Sequence, residues 1–397
     1  MRSGITDHPV IVLSGARQVG KSTLLLNESP FKKWRYITLD DFDKLYQVKN
    51  DPESLLIGTD AVILDEVQKA PNLLNVVKMV VDDPYNRCKF ILSGSANLLL
   101  MQKVSESLAG RAVYYRLFPM TSGEIEEYPQ NSVLSNLLNG KVEDIKKIKI
   151  GRSAIFPNLW KGFMPALISY SKQESVLRWW EGYIRSYLER DLSQLSQVES
   201  LPDFRRLMSA LALRCGQLLN QSEVSRDTGI SQPTVHRYIN LLESTSMLDR
   251  LPAYSVNRTK RLIKSPKIIW NDPGLVSFLT GHFTADSLCS SRELGGIFES
   301  MVYLHLSALA QLIVPAPHLY YWRTSTGKEV DFIIEWGQKL LAIECKYTGR
   351  PKYRDIANLQ LFMEEYPETS AAVLLHTGDE VQQFHEKIIA LPWYYFK

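Results

Sequence analysis

An α/β fold is predicted for this chain: a parallel sheet at the amino end, a helical and winged-helix middle region, and a second α/β domain at the carboxyl end. Three observations predict it. Five apolar segments, around residues 10 to 14, 35 to 40, 61 to 65, 88 to 93 and 112 to 118, alternate with helix-compatible stretches, as parallel strands buried on both faces do. The first, Pro9-Val10-Ile11-Val12-Leu13, runs directly into GARQVGKS, Gly15 to Ser22. Near the carboxyl end, two strand-like stretches, Glu329 to Ile334 and Leu340 to Lys346, follow a helical pattern that opens at Gly296 and runs through Leu309.

The glycine-rich segment has the order that binding a nucleoside triphosphate demands: a glycine, four residues, then Gly-Lys-Ser. The expected binding residues are Gly15, Ala16, Arg17, Gln18, Val19, Gly20, Lys21, Ser22 and Thr23. The glycines let successive backbone N–H groups turn inward, Lys21 reaches the β- and γ-phosphates, and the Ser22 hydroxyl ligates Mg²⁺. A helix opening at Ser22 adds the partial positive charge of its N-terminus. On a neighbouring strand, Ala61-Val62-Ile63-Leu64 ends in Asp65-Glu66. Asp65 is expected to hold the Mg²⁺ shell beside Ser22, and Glu66 to polarise the attacking water. A third run, Lys89-Phe90-Ile91-Leu92, ends in Ser93-Gly94-Ser95-Ala96-Asn97, where Asn97 is the first candidate for a γ-phosphate sensor and Ser95 the second.

The segments GARQVGKST, VILDEVQKAP, FILSGSANLLL and ESLAGRAVYYRLFPMT together resemble the AAA-type ATPases of a widespread prokaryotic family of uncharacterised proteins, in which the ATPase is followed by a domain of unknown function. The likeness extends over nearly the whole chain. It implies the fold and ATP binding, but supplies no biological role. It also implies that Arg111 contacts the phosphates, in cis or from a neighbouring subunit, a task suited to a fixed charge with forked donors. A surface arginine ahead of a strand is the competing reading. Some relatives of this class act as rings, so a homo-oligomer is compatible with the chain.

With 397 residues, the chain exceeds one ordinary core and two or three domains are expected. The expected partition is an ATPase domain over 1–128, a helical linker or lid over 129–200, a winged-helix-like domain over 201–270 and a second α/β domain over 271–397. Hydrophobic content of 45% with charged content of 22% fits a globular protein, and no apolar stretch has the length of a membrane span. The opening MRSGITDHPV has no apolar signal core, so a cytoplasmic protein with no membrane partner is expected. Cys88, Cys215, Cys289 and Cys345 are widely spaced, which argues against a zinc site and a disulfide framework.

A net charge of +3 decides nothing about nucleic acid, so local clusters matter more. Arg258, Lys260, Arg261, Lys264 and Lys267 fall together with no acid among them; Lys146, Lys147, Lys149 and Arg152 form a smaller group. The first cluster follows a helix-turn-helix pattern: a short helix capped at Ser222 and stopped at Gly229, then a second helix beginning at an N-cap Ser231. Gln232, Thr234, His236 and Arg237 would read base edges, and Met247 to Tyr254 with the basic segment would form a wing on phosphates. The same architecture also serves ATPases as a lid or subunit contact. Upstream, residues 130 to 200 read as mostly helical; the aromatic and aliphatic stripe of Val176 to Leu192 reads as core.

Asp331 and Glu344 interrupt apolar strand sequence, where a buried carboxylate is costly unless paired or bound to metal. Glu344 and Lys346, two apart on a strand, share a face. With Glu299 on the preceding helix, the set resembles the PD-(D/E)XK nuclease-like superfamily. That resemblance implies Glu299, Asp331 and Glu344 as ligands of one or two Mg²⁺ ions and Lys346 as the group that orients or activates water, with Gln360 a further candidate. Such folds also persist without the reaction. Three functional expectations follow: an ATPase coupled to DNA handling, the same with metal-dependent DNA cleavage, or a nucleotide-switched regulator or scaffold without nuclease activity.

Overall fold

The computed structural model describes residues 1–85, 87–94, 108–186, 198 and 200–397, the Lys260 side chain excepted. The chain divides into two compact units, Met1–Pro119 with Ser244–Met247, and Met120–Glu243 with Leu248–Lys397.

The first unit is built on five strands, β1 (Val10–Gly15), β2 (Arg35–Thr38), β3 (Ala61–Asp65), β4 (Lys89–Ser93) and β5 (Ala112–Leu117). They lie in the order β2-β3-β4-β1-β5, every pair parallel. Alternate side chains enter two cores, Val10, Val12, Val62, Leu64, Phe90 and Leu92 on one face, Ile11, Leu13, Ile63 and Ile91 on the other. Burial on both faces is why the strand sequences are unbroken apolar runs. Each such side chain contributes roughly 1.5–3 kcal/mol. Register aligns the polar strand ends: Leu13 lies opposite Ser93, Ser93 opposite Asp65, and Asp65 opposite Thr38. Helix α1 (Lys21–Asn27) leaves that edge after β1, and α2 (Leu73–Asp82) buries Leu73, Leu74 and Val77.

The second unit opens with helices. In α3 (Gln173–Ser186), Val176, Trp180, Tyr183 and Ile184 are buried at helical spacing, which is the expected core stripe; residues 187–192 of that stretch lie outside the described residues. Helix α4 (Leu201–Ala212) precedes the pair α5 (Gln221–Thr228) and α6 (Gln232–Ser244). The cap of α5 is Asn220 rather than the expected Ser222: its side-chain oxygen accepts the Ser222 and Glu223 N–H groups, the second and third of the helix. Gly229, at φ 70, ends α5 in the left-handed region, and the Ser231 hydroxyl accepts the Thr234 N–H as α6 begins. Strands β6 (Leu248–Leu251) and β7 (Lys267–Trp270) then form an antiparallel ribbon.

Beyond the ribbon, α7 (Leu294–Ala310) is buried over most of its surface. A six-stranded sheet follows, from β8 (His318–Arg323), β9 (Glu329–Trp336), β10 (Lys339–Lys346), β11 (Thr369–His376), β12 (Gln382–His385) and β13 (Ile388–Pro392), in the order β12-β13-β11-β10-β9-β8. Strands β8, β9 and β10 run antiparallel, while β10, β11 and β13 are parallel. Helix α8 (Ala357–Glu365) packs Leu359 and Phe362 against Ala342 and Leu374.

Candidate functional site

Two clusters of charged and hydroxyl groups stand out, one in each unit. In the first, β1 delivers the chain to a loop whose turns need glycine: Gly15 at φ 147 and Gly20 at φ 95. A Cβ on Gly15 would stand 2.3 Å from the Leu117 carbonyl oxygen, so β5 leaves no room for a side chain there. Ala16 and Val19 are buried, Arg17 is partly buried, and Gln18 is exposed with a left-handed φ of 61. Lys21 is buried, and its ammonium donates to the carbonyl oxygens of Gly15 (3.0 Å) and Ala16 (2.9 Å), which holds it over the loop. Thr23 is exposed on α1.

Asp65, at the end of β3, is 3% exposed. Its Oδ2 accepts the Ser22 hydroxyl at 2.8 Å and the Tyr36 hydroxyl; its Oδ1 accepts the Ser93 hydroxyl and the Glu66 N–H at 3.1 Å. The strand order explains the convergence, because Tyr36 on β2, Asp65 on β3 and Ser93 on β4 come from adjacent strands, and Ser22 from the helix after β1. A hydroxyl and a carboxylate side by side are the hard oxygen donors that Mg²⁺ takes, so Ser22 and Asp65 fit such an ion. Glu66 sits just past the strand in the left-handed region (φ 59, ψ 40), and Gln68 donates to its carboxylate. Burial first, and then the Asp65 charge, push the Glu66 carboxyl above its ordinary range. Burial and the bond to Asp65 push the Tyr36 phenol up as well.

Asn97 and Ser95 lie outside the described residues. Arg111 precedes β5 beside Ala112, which pairs with Val10. The loop follows Gly15, so five residues of strand, about 16 Å, separate Arg111 from it. The guanidinium instead grips the Asp82 carboxylate with two donors, one at 3.0 Å.

In the second cluster, Glu299 on α7, Asp331 on β9 and Glu344 on β10 approach one end of the mixed sheet. Among the described residues, however, no group of three or more His, Cys, Asp or Glu side chains is arranged to hold a metal ion. A residue not expected there sits among these carboxylates. Lys267, from β7, is 1% exposed and places its Nζ 3.1 Å from Glu299, 2.5 Å from Glu329 and 3.3 Å from Asp331. The Cys345 N–H takes the other oxygen of Asp331 at 2.8 Å. Burial opposes the Lys267 charge, but the three carboxylates outweigh it and hold the ammonium well above its usual range. Burial, then the Asp331 charge, push both Glu299 and Glu344 up to about 8. Lys346 donates to Glu344 at 2.8 Å, as their shared face requires, and Gln360 donates to Tyr353 on the surface.

Two members of the basic segment are engaged inside the protein. Arg261 makes a two-pronged pair with Glu335 (2.8 and 2.9 Å) and lies over the rings of Tyr254 and Tyr320, while Lys267 is internal. Arg258 and Lys264 are exposed. In the smaller group, Lys146, Lys147 and Arg152 pair with Glu143, Asp144 and Asp379. On the helix pair, Gln232 and His236 are exposed, and Thr234 and Arg237 partly so.

A parallel sheet with the order β2-β3-β4-β1-β5, a glycine-rich loop after β1 and a carboxylate two strands away defines an AAA-type P-loop nucleotide-binding domain. Comparison with known proteins agrees: the AAA domain family matches residues 7–126, and two domains of unknown function, DUF8612 and DUF4143, match residues 154–286 and 294–396. An uncharacterized protein of Mycobacterium tuberculosis is 32% identical over 400 residues, covering 99% of this chain and 82% of that protein, and one of Mycobacterium bovis aligns equally well. An uncharacterized protein of Methanocaldococcus jannaschii is 23% identical over 337 residues, covering 74% of this chain and 68% of its own length. The chain belongs to the family of these uncharacterized mycobacterial proteins. Among solved structures, the Thermotoga maritima RuvB Holliday junction branch migration motor aligns at 13% identity over 63% of this chain and 85% of that one, with a TM-score of 0.30.

Proposed function

We propose that the chain is a Mg²⁺-dependent ATPase whose nucleotide state is coupled to DNA contact. The observation that carries the first part is the Ser22 hydroxyl 2.8 Å from Asp65, beside a loop over which Lys21 is held. Bound Mg²⁺ neutralises charge on the phosphates. Backbone N–H groups from Gly15 to Thr23 cradle the phosphates, and Lys21 turns from its carbonyl partners to the β- and γ-oxygens. Ser22 and Asp65 hold the metal, with Tyr36 and Ser93 orienting the carboxylate. Glu66, its basicity raised by burial, polarises the attacking water. Asn97 is proposed as the γ-phosphate sensor, and Arg111 as a contact supplied to a neighbouring copy in a homo-oligomer.

DNA is the proposed partner of the region read as winged-helix over 201–270, between a lid over 129–200 and a nuclease-like domain over 271–397. The exposed Gln232 and His236 at the start of α6, with the exposed Arg258 and Lys264 nearby in sequence, support it. Among the described residues no helix is long and apolar enough to cross a membrane, and a cytoplasmic location is proposed. A second reading, a nucleotide-switched regulator without nuclease activity, is favoured by the lysine within the carboxylate cluster. ATP turnover measured with and without duplex DNA at two salt concentrations tests the proposal. Turnover that DNA changes at low salt only is expected; very slow turnover with nucleotide altering DNA affinity would favour the regulator. Incubating linear, branched and single-stranded DNA with Mg²⁺ or Mn²⁺, wild type against Asp331→Ala, tests cleavage directly.

A further inference from the structure

We infer that Lys267 is the resident cation of the C-terminal carboxylate cluster, standing where a divalent metal would in a nuclease and fastening the β6–β7 ribbon to α7 and β9. An ammonium has three N–H donors and no acceptor. Here three carboxylates meet it, Glu299 from α7 and Glu329 and Asp331 from β9, at 3.1, 2.5 and 3.3 Å. Its side chain is 2% exposed, a depth at which an ammonium persists only when paired.

The remaining oxygens do not fit a magnesium shell, which demands near-octahedral oxygens at about 2.0–2.1 Å. Asp331 Oδ1 faces Lys267 and its Oδ2 accepts the Cys345 N–H at 2.8 Å. Glu344 Oε1 accepts Lys346 at 2.8 Å and Asn358 at 3.5 Å, which leaves Glu344 Oε2 as the buried carboxylate oxygen of this pair without a hydrogen bond. A divalent ion at Asp331 would share that carboxylate with a positive charge already in contact with it.

The same strand holds more than the lysine. Around Lys267, the Ile268 N–H donates to the Gln217 carbonyl (2.9 Å), the Gly216 N–H to the Ile268 carbonyl (2.8 Å) and the Leu219 N–H to the Pro266 carbonyl (2.8 Å). Those residues lead into α5. A cation anchored among the α7 and β9 carboxylates therefore fixes the ribbon and the approach to the helix pair together, and the cluster is a fastening rather than a cleavage centre.

The test uses full-length, nucleotide-free protein, so its outcome is separate from that of the ATPase proposal. Mn²⁺ binding is followed by electron paramagnetic resonance for wild type and Asp331→Asn. Lys267→Met is compared with wild type by thermal melting and by hydrogen exchange of residues 216–219 and 266–270. The expected result is identical Mn²⁺ binding by wild type and Asp331→Asn, a melting temperature lower by on the order of 10 °C in Lys267→Met, and faster exchange in both segments. Wild-type Mn²⁺ binding that Asp331→Asn abolishes, or Lys267→Met melting and exchanging like wild type, overturns the inference. Should Lys267→Met fail to fold, Lys267→Met/Glu299→Gln/Asp331→Asn, which neutralises two of the stranded carboxylates while Glu329 keeps its pair with Arg323, is expected to fold; an unfolded triple variant also overturns it.

Discussion

At Asp65, three hydroxyls and one amide converge on a single carboxylate from four segments of chain. Lys21 and Ser22 are legible in the sequence from the fixed spacing of the glycine-rich motif, and Asp65 from its place at the end of an unbroken apolar strand. Tyr36 and Ser93 are not, since a lone Tyr or Ser at a strand end acquires meaning only once the strand order is known. Glu66 occupies a left-handed conformation that is uncommon for residues other than glycine and costs on the order of 1 kcal/mol. The role proposed for Glu66 as the base gives that strain a purpose. Glu66→Gln should keep nucleotide affinity within a few-fold and lower turnover by roughly 10²–10⁴-fold, measured by phosphate release and equilibrium nucleotide binding; unchanged turnover would remove Glu66 from the chemistry. A second residue gives a pH signature. The His305 Nε2 accepts the Ser122 N–H at 2.9 Å, and its Nδ1 faces the Met301 carbonyl at 2.7 Å, so the ring is neutral. Burial pushes it down to about 4 from its ordinary 6.5. The unfolded chain takes up this proton as pH falls through 6.5 and the folded chain does not, so the linked stability is complete above 6.5 and lost toward 4. That loss is on the order of 3 kcal/mol. The melting-temperature gap between wild type and His305→Gln should therefore narrow between about pH 7.5 and about pH 4.5; a constant gap would contradict the neutral ring.

Among the elements, α7 shows how close packing depends on one position. A Cβ on Gly296 would lie 2.2 Å from the Cys215 carbonyl oxygen, whereas one on Gly295 would meet nothing within 4 Å. Gly296→Ala should lower the melting temperature by several degrees, since backbone must shift, while Gly295→Ala should leave it unchanged or raise it slightly, by about 0.5–1 kcal/mol of helix propensity. Equal effects in the two variants would show that α7 does not pack as described. The helix through Leu309 was readable from its pattern; which glycine faces Cys215 was not, because that contact joins residues far apart in sequence. The strand β7 carries the same lesson. Lys267 read as one more member of a basic run, although the apolar Ile268-Ile269-Trp270 beside it signals a buried strand. The carboxylates that neutralise it come from elements more than thirty residues away, beyond what local charge patterning reveals.

Over the whole molecule, the parallel sheet was legible from unbroken apolar runs, and the helix pair from its glycine stop. What the sequence overstated was the reach of clustered charge. Arg261 and Lys267 are spent on Glu335 and on the carboxylate cluster, so the surface that would meet DNA is less basic than the run suggested. If DNA binds, affinity should fall linearly in log–log form with salt, with a slope of about −0.9 per phosphate neutralised, and Arg258→Ala, at an exposed arginine of the basic segment, should weaken it; binding indifferent to salt would turn the account toward the regulator. The central claim remains the nucleotide grip at the P-loop. Isothermal titration calorimetry with ATP and Mg²⁺, wild type beside Lys21→Ala, tests it most directly. Saturable binding in wild type, weakened at least tenfold or lost in a folded Lys21→Ala, is the predicted result; no binding by folded wild type, or equal binding by both, would contradict it.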